Sequence, residues 1–371
     1  MLIPTLISVL LAITASVDAR PRHVKRQWPE CCANWTSTRV NFMSMPPAER
    51  RDYTNAIKCM MQQPSQLVGV EPYADVAISR YFDYAVVHVD RSQYIHNSGF
   101  FLTWHRYFLH LFESDLRSLC NYRGRFPYWN FGASSSNVSS ATTFDGSAFS
   151  MSGDGQYLDS GPIVLGPNFT LPKGTGGGCV TTGPFANLTV PMKNIPNPYL
   201  ANGTLPADAY AYQPNCLKRD LNTFIASTYT NASSIVAATH ATDAAAFETA
   251  LNGVFGGGSL GIHSGAHFEV GGAQGQMSSI FVSVQNPIWF PMHTFVDLVW
   301  DSWQRNNPDQ ADGTSGTMTA GNVPPSDLVT LDSSLPDWGY LEPNEDGSIQ
   351  VGDLLDTTEG PFCYDYDLQI S

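Results

Sequence analysis

Apolar residues recur at helical spacing in five separate stretches of the chain. Apolar side chains three and four positions apart fall on one face of an α-helix, so each stretch predicts a helix with a buried side. A proline in the first turn of the last stretch fits this interpretation, because the first turn tolerates proline. We therefore predict a mainly α fold. The predicted helices cover residues 46–62, about 73–90, Thr103 to Cys120, 218–252 and 289–304.

The segment from about 130 to 218 has a different pattern. It is rich in Gly, Ser, Pro, Asn and Thr and shows almost no periodicity, which is typical of long loops. The tail from 306 onward is acidic and turn-rich, and apolar patches such as "SIQVGDLLD" predict a strand or two. We find no internal repeat. The expected architecture combines helices with long loops and few short strands.

The N-terminal segment has the features of a secretory leader. Residues 1–19 contain a continuous apolar run closed by small residues, and 20–26 end in the dibasic pair Lys25-Arg26. We predict a signal peptide over 1–19, a short pro-segment over 20–26 and a single catalytic domain over 27–371. No later stretch is apolar for long enough to cross a bilayer. The expected location is extracellular.

Charge and cysteine content limit the possible partners and the environment. The formal net charge is -14, which argues against a nucleic-acid or anionic-membrane partner. Seven cysteines in a secreted chain predict three disulfides and one odd thiol, with a pairing that sequence alone does not give. Glycosylation sequons also fit secretion and predict exposed loops. They lie at Asn34, Asn137, Asn168, Asn187, Asn202 and Asn231.

Six of the nine histidines form two sets of three. His88 lies on the second predicted helix, His96 in the following connection, and His105 in the first turn of the next helix. In "GIHSGAHFEVGG", His263 and His267 are four residues apart, which puts both on one helix face. His293 comes from a separate helix. Three imidazoles suit Zn, Cu, Fe or Ni better than Ca or Mg.

Each histidine also has a simpler explanation. An isolated histidine on an apolar helix is usually a core or surface residue, and we interpret His110 and His240 in this way; His23 is expected to be lost with the pro-segment. The HxxxH pair alone is a weak signal and lacks the glutamate of a zinc protease. Two complete trios with helical supports are harder to attribute to chance. We predict a dinuclear metal site.

The flanking residues resemble those of the tyrosinase and catechol oxidase family of type-3 copper proteins. The first copper motif corresponds to His88, His96 and "FFLTWHRYFLHLFE" with His105, and the second to "HSGAH" and "NPIWFPMHTFVDLVWDSWQ" with His293. The resemblance extends over most of 37–305, and "CYDYD" at 363–367 is similar to the family's Tyr-x-Tyr element. Short secreted fungal members are the most similar.

The resemblance implies a central four-helix bundle that holds two copper ions, one per trio, with O2 as co-substrate. It implies that Phe101, Trp104 and Phe290 shield the metals from water, and that Asp297 belongs to the surrounding layer. It gives no catalytic group beyond the copper ligands. Cys120 and Cys363 are expected in disulfides that anchor the ligand helix and the tail.

Three positions depart from the family pattern or are variable within it. Tyr94 replaces a cysteine that forms a thioether with the second ligand in many members, which would leave His96 held by its loop alone. Ile280 stands where plant catechol oxidases carry a phenylalanine gate. Ser264 replaces an asparagine that, with a nearby glutamate, holds a base water for monophenol hydroxylation. Glu248 is the nearest upstream carboxylate, without an assigned place.

These residues predict a secreted dicopper polyphenol oxidase that oxidises o-diphenols such as catechols to o-quinones, with o-aminophenols and substituted phenols as further candidate substrates. One alternative is a tyrosinase with substantial monophenol hydroxylation. A hemocyanin-like oxygen carrier would use the same six ligands, and a secreted dinuclear zinc hydrolase is a further alternative that the lack of carboxylate ligands disfavours. Small phenols are the expected partners.

Overall fold

The computed structural model describes residues 37–254, 257–342, 344 and 347–371. The predicted signal peptide (1–19), the pro-segment (20–26) with His23, Cys31, Cys32 and the Asn34 sequon lie outside the described residues. Helices dominate the rest. They are α1 (Pro47–Met60), α2 (Arg80–Ile95), α3 (Phe101–Cys120), α4 (Phe131–Ser134), α5 (Pro198–Ala201), α6 (Thr223–Tyr229), α7 (Ala232–Thr239), α8 (Ala244–Asn252), α9 (Ile262–Gly271) and α10 (Trp289–Asn306).

The helix-dominated prediction is confirmed, with shifted boundaries. Residues 71–76 form turns, so α2 begins at Arg80 rather than near 73 and continues to Ile95. Helix α3 begins two residues earlier than predicted, which moves His105 from the first to the second turn. The segment 218–252 contains three short helices rather than a continuous one.

Four helices carry the histidine trios. Helix α3 packs against both α2 and α10, while α9 packs against α6 and α8. The facing sides of α2, α3 and α10 are filled by large aromatic side chains that are fully buried, which places the main hydrophobic core around the histidines. Burial of this much apolar surface provides the main favourable term for folding.

Short paired strands organise the region for which the sequence analysis predicted long loops. The pairs are β3 (Gly155–Tyr157) with β6 (Gly177–Val180), β4 (Ile163–Gly166) with β5 (Phe169–Leu171), and β7 (Thr189–Val190) with β8 (Asn215–Cys216). A disulfide joins Cys179 to Cys216 and so connects β6 to β8. The region is therefore constrained by pairing and by a covalent bridge.

A three-stranded sheet joins the two ends of the described chain. Strand β1 (Ser37–Asn41) lies between β2 (Pro127–Tyr128) and β9 (Tyr364–Tyr366) and is parallel to both. The predicted strand at 348–356 is wrong: Val351–Leu354 is a 3-10 turn, and Gln350 makes only an isolated bridge with Ser334. The tail pairs with β1 further on, through the tyrosines of "CYDYD".

Disulfides hold α3 and the tail. Cys59 at the end of α1 is bonded to Cys120 at the end of α3, and Cys363 is also disulfide-bonded. The expectation for Cys120 and Cys363 is confirmed, and none of the described cysteines is a free thiol. Within the described part of the chain, no helix has both the length and the apolarity needed to cross a membrane.

Candidate metal centre

The first trio comes from the middle of α2, the residue that follows α2 and the second turn of α3. His88, His96 and His105 are all buried, and one ring nitrogen from each lies within 4.8 Å of the others. Each Nδ1 donates to a main-chain carbonyl: His88 to Phe281 at 2.8 Å, His96 to Ser92 at 3.2 Å and His105 to Phe101 at 2.7 Å. Because Nδ1 carries the proton, Nε2 presents its lone pair to the centre.

The second trio comes from α9 and α10. His263 and His267 lie one turn apart on α9, and His293 lies in the second turn of α10. His263 Nδ1 donates to the Asn252 side-chain oxygen at 2.8 Å, and His267 Nδ1 donates to the Met277 carbonyl at 2.7 Å. His293 Nδ1 is buried and has no hydrogen-bond partner among the described residues. All three ligand nitrogens lie within 4.8 Å of one another.

A glycine allows α9 to pack closely enough to form this site. A Cβ at Gly265 would lie 2.7 Å from the Thr230 side chain, nearer than real Cβ contacts come. Any other residue there would push α9 away from the end of α6. Since α9 carries two histidines, the small residue between them sets how deeply both reach into the core.

The second trio has the geometry of a metal-binding site. Its Nε2 atoms lie 3.0 Å (His263 to His267) and 3.3 Å (each to His293) apart. Three lone pairs facing one another at this range repel unless a proton or a cation lies between them. Three nitrogens about 2.0–2.1 Å from one ion are separated by roughly 3.3 Å in tetrahedral geometry. The donor set therefore fits a metal ion.

Burial keeps the imidazoles neutral. It lowers the pKa of His88 to about 3 and that of His267 to about 4, and it holds the pKa values of His96, His105, His263 and His293 well below their usual range. The protonated form loses its hydration in the core, and neighbouring imidazoles add repulsion. Near neutral pH the trios are therefore uncharged, which is the form that binds metals.

The two trios face each other. The His105 and His293 rings are stacked, with centres 4.9 Å apart and planes inclined by 19°. Phe101 lies between the trios, with its ring 4.8 Å from His105 and 4.9 Å from His263. The fold thus brings together all six histidines that the sequence selected, as two adjacent trios rather than two separate sites.

The apolar surroundings differ in one position from what we expected. Phe101 and Trp104 both contact the histidines, and the Trp104 ring packs against His88 and His105. Phe290 lies further out, stacked on Phe112 with ring centres 3.4 Å apart. Its neighbour Trp289 takes the inner position, and sequence reasoning missed it. Spacing alone contains the signal, because a residue four before His293 on a helix lies on the same face.

Trp289 contacts both trios. Its ring is 3.8 Å from His293, stacked at 20°, and lies 5.4 Å from His88 and 5.9 Å from His105. It is fully buried. Aromatic pairs at such distances contribute about 0.5–1.5 kcal/mol beyond their area burial, so Trp289 stabilises the orientation of the one histidine without an Nδ1 partner.

Asp297 connects α10 to the ends of the chain. Its buried carboxylate accepts hydrogen bonds from Arg39, from Arg106 at 2.6 Å, and from the hydroxyls of Tyr364 and Tyr366. The two guanidinium groups outweigh burial and hold the pKa of Asp297 below its usual range. The carboxylate is thus occupied by arginine and tyrosine groups and positions the helix that bears His293.

Ser264, Ile280 and Glu248 are not ligands of either trio. The Ser264 hydroxyl donates to the Asn252 main-chain carbonyl at 2.9 Å. Ile280 is half-buried, and its amide donates to the Asn197 side-chain oxygen at 2.8 Å. Glu248 lies on α8 one turn before Asn252, and burial raises its pKa to about 8. The contact between Asn252 and His263 had no sequence signal that we recognised.

Tyr94, His110 and His240 have simple positions. Tyr94 is 44% exposed near the end of α2. The expectation that His96 is held only by its own loop is wrong, because the His96 ring donates a hydrogen bond to the Ser92 carbonyl of α2. His110 packs between Tyr107 and Phe362, while His240 is exposed and bonded to the Val236 carbonyl. Neither belongs to a trio.

Comparisons with known proteins give a consistent result. The family model "Common central domain of tyrosinase" matches residues 78–306. The chain is 32% identical to N-acetyl-6-hydroxytryptophan oxidase ivoB of Emericella nidulans, over 98% of this chain and all of that protein. It is 33% identical to tyrosinase P of Aspergillus terreus, over 86% of this chain and 88% of that protein.

A solved structure shares the fold. A single-residue variant of polyphenol oxidase from Thermothelomyces thermophila superposes with a TM-score of 0.79 and 34% identity, covering 91% of this chain and 90% of that one. The similarity therefore extends well beyond the region matched by the family model.

Proposed function

Because the chain belongs to the tyrosinase family, whose members are copper oxidoreductases acting on small phenols, we propose that this enzyme oxidises o-diphenols to o-quinones with O2. The observation that supports this most directly is the pair of uncharged histidine trios that face each other, buried except for the half-buried His267. We assign His88, His96 and His105 to one copper and His263, His267 and His293 to the other.

Copper ions held by the two trios would supply two one-electron acceptors for the transfer of electrons from the diphenol to O2. Each diphenol loses two electrons and two protons to become a quinone, so two diphenols and one O2 give two quinones and two waters. The protein's own groups prepare this reaction. The Nδ1 hydrogen bonds fix the lone pairs inward, and neutral imidazoles leave the charge of the metals uncompensated.

The apolar layer excludes water and guides the phenol ring. Phe101 and Trp104 are buried against the histidines, so the centre has a low local polarity. Ile280 is half-buried and smaller than a phenylalanine, which supports access for substituted rings. The name of the Emericella relative, an oxidase of a hydroxytryptophan, agrees with acceptance of a fused aromatic ring.

Ser264 supports diphenol oxidation over monophenol hydroxylation. Its hydroxyl proton is donated to the Asn252 carbonyl, so the hydroxyl has no proton left to donate to a base water. A diphenol needs such a base less, because its second hydroxyl eases deprotonation at the metal. Monophenol hydroxylation remains the second candidate, supported by the name of the Aspergillus relative.

We further propose that the mature chain is secreted as a single catalytic domain spanning 27–371. The leader-like sequence over 1–26 supports this. So does the exposure of four sequons, at Asn137, Asn168, Asn187 and Asn202, whereas Asn231 is half-buried.

In the direct test, the purified full chain is loaded with copper or with zinc and unbound metal is removed. Bound metal and O2 uptake are then measured. Catechol, an o-aminophenol and tyrosine serve as substrates. We expect about two tightly held coppers per chain, prompt quinone absorbance with catechol and slow or lagging reaction with tyrosine. Retention of zinc but not copper supports a hydrolase, and copper binding without quinone formation supports an oxygen carrier. Either result contradicts the proposal.

A further inference from the structure

His263 is oriented in a way that no other histidine of the centre shares. His88, His96, His105 and His267 all donate through Nδ1 to main-chain carbonyls, which every residue type provides. His263 donates instead to a side-chain amide oxygen, that of Asn252, at 2.8 Å. Its orientation therefore depends on the identity of a residue at another position in the sequence.

The backbone brings Asn252 to His263 by close contact between two helix ends. Asn252 is the last residue of α8, and Gly253 follows with φ +75°, which turns the chain. A Cβ at Gly261, just before α9, would lie 2.3 Å from the Leu251 carbonyl oxygen. The two helix ends are therefore in contact, and only glycine fits there.

A second hydrogen bond holds the same junction. Ser264, in the first turn of α9, donates its hydroxyl to the Asn252 main-chain carbonyl at 2.9 Å. Asn252 thus makes two contacts with α9: its main-chain carbonyl accepts from Ser264, and its side-chain oxygen accepts from His263. The amide oxygen has a fixed position relative to the His263 ring.

Building on the copper assignment above, we propose that Asn252 is a positioning residue for His263. Its oxygen keeps the proton on Nδ1 and the ring rotated so that Nε2 faces the second metal. Partners of this kind commonly change metal affinity by roughly 10–100-fold when removed. Because Asn252 is neutral, it orients the ring without adding a negative charge next to the metal.

The test compares Asn252→Ala and Asn252→Asp with Asn307→Ala. Asn307 is a matched control: it is half-buried at the end of α10, its amide donates to the Thr239 and Trp303 carbonyls, and it contacts no trio histidine. Each protein is loaded with copper and titrated with a competing chelator. The thermal unfolding midpoint is measured with and without copper.

We expect Asn252→Ala to hold one copper as tightly as the parent and the second roughly 10–100-fold more weakly. Its metal-free midpoint should fall no further than that of Asn307→Ala, while the rise on adding copper should be smaller. Asn252→Asp should keep both coppers, because a carboxylate also accepts the hydrogen bond from His263 Nδ1. The negative charge of the carboxylate makes the His263 ring a stronger donor to the metal, so the second copper should favour the Cu(II) state.

Several results overturn the proposal. One is an Asn252→Ala protein with the chelator profile of the parent. Another is a loss of affinity for the second copper no larger than in Asn307→Ala, which would show a purely structural role. Loss of the second copper in Asn252→Asp to the same extent as in Asn252→Ala would also contradict it. A parent protein that binds no copper would instead refute the assignment of the centre itself.

Discussion

The indole of Trp289 stacks on the imidazole of His293, with ring centres 3.8 Å apart and planes inclined by 20°. The two residues are one turn apart on α10, so the helix itself holds them in register. His293 Nδ1 has no hydrogen-bond partner among the described residues. Aromatic stacking thus replaces the hydrogen bond that orients each of the other five histidines.

Trp289→Ala should therefore affect both stability and metal binding. Removal of a buried tryptophan costs about 3–5 kcal/mol of unfolding free energy, and His293 loses its stacking partner. Trp289→Phe should retain most of the copper content. Trp303→Ala is the matched control, since Trp303 is buried on the same helix and stacks on Phe247 away from the trios. Equal copper loss in the two alanine variants, by metal analysis, would argue against an orienting role.

His105→Ala and His267→Ala test the assignment of one metal to each trio. Each variant should lose the copper of its own trio, so the content should fall from about two to about one per chain, with loss of catechol oxidation. His240→Ala provides the control because His240 is exposed and lies outside both trios. A variant of either trio that kept two tightly bound coppers would contradict the assignment.

Ser264→Asn tests the choice between diphenols and monophenols. The added amide should orient a base water, so the ratio of tyrosine hydroxylation to catechol oxidation should increase. Ser264→Ala removes the same hydroxyl without adding an amide and should leave that ratio near the parent value. Initial rates for the two substrates give the ratio directly. If the parent already hydroxylates tyrosine as fast as it oxidises the diphenol, the inference from Ser264 fails.

Ile280→Phe tests the gate. A larger side chain at this half-buried position should reduce the turnover of bulky substituted diphenols more than that of catechol, with copper content unchanged. The measurement is kcat/KM for catechol and for a tert-butyl-substituted catechol. Ile280→Val, which makes the side chain smaller, should not produce the same selective loss. A uniform decrease for both substrates would show that Ile280 does not act by steric exclusion.

Glu269 predicts a pH dependence of stability. Its carboxyl is fully buried on α9, accepts one hydrogen bond from Thr230, and has its pKa raised to about 8 by burial. The unfolded value is near 4.3. The folded state therefore holds the Glu269 proton more tightly than the unfolded state does. The stability that the protonated carboxyl contributes is complete below about pH 4. It is lost as the pH rises to about 8, by up to roughly 1.4 kcal/mol per pH unit.

Glu269→Gln should remove this slope. Urea unfolding at pH 5 and pH 8 should show that the variant loses less stability than the parent between the two values. Glu71→Gln, at an exposed position, should unfold like the parent at both. An identical pH dependence for Glu269→Gln and the parent would mean that the carboxyl titrates normally.

The trios were predictable because each is encoded by spacing on helices. His263 and His267 are four positions apart, which places them on one face whatever the exact ends of α9. Their acceptors were not predictable. The Phe281 carbonyl that orients His88 is 193 positions away in the chain. Every residue has a main-chain carbonyl, so no residue type in the sequence indicates which carbonyl will accept from a histidine.

Two errors have a common physical origin. Choosing Phe290 rather than Trp289 is an error of one residue, which on a helix is a rotation of about 100°. The prediction that α2 begins near 73 assigned apolar residues of a turn to the helix. Val76 and Ala77 are buried, as the apolar pattern indicates, but they are not helical. Burial and secondary structure are separate properties, and apolar pattern reports mainly on burial.

The parallel pairing of β1 with β9 determines when this polypeptide can finish folding. Arg39 contacts Tyr366 across 327 positions of chain, and the same arginine lies over the Tyr364 ring. Contacts at such separation form late, since the loop between them must first be closed. During synthesis the first strand leaves the ribosome long before its partner exists. The Asp297 carboxylate therefore lacks its two tyrosine hydroxyl donors until Tyr364 and Tyr366 have been synthesised.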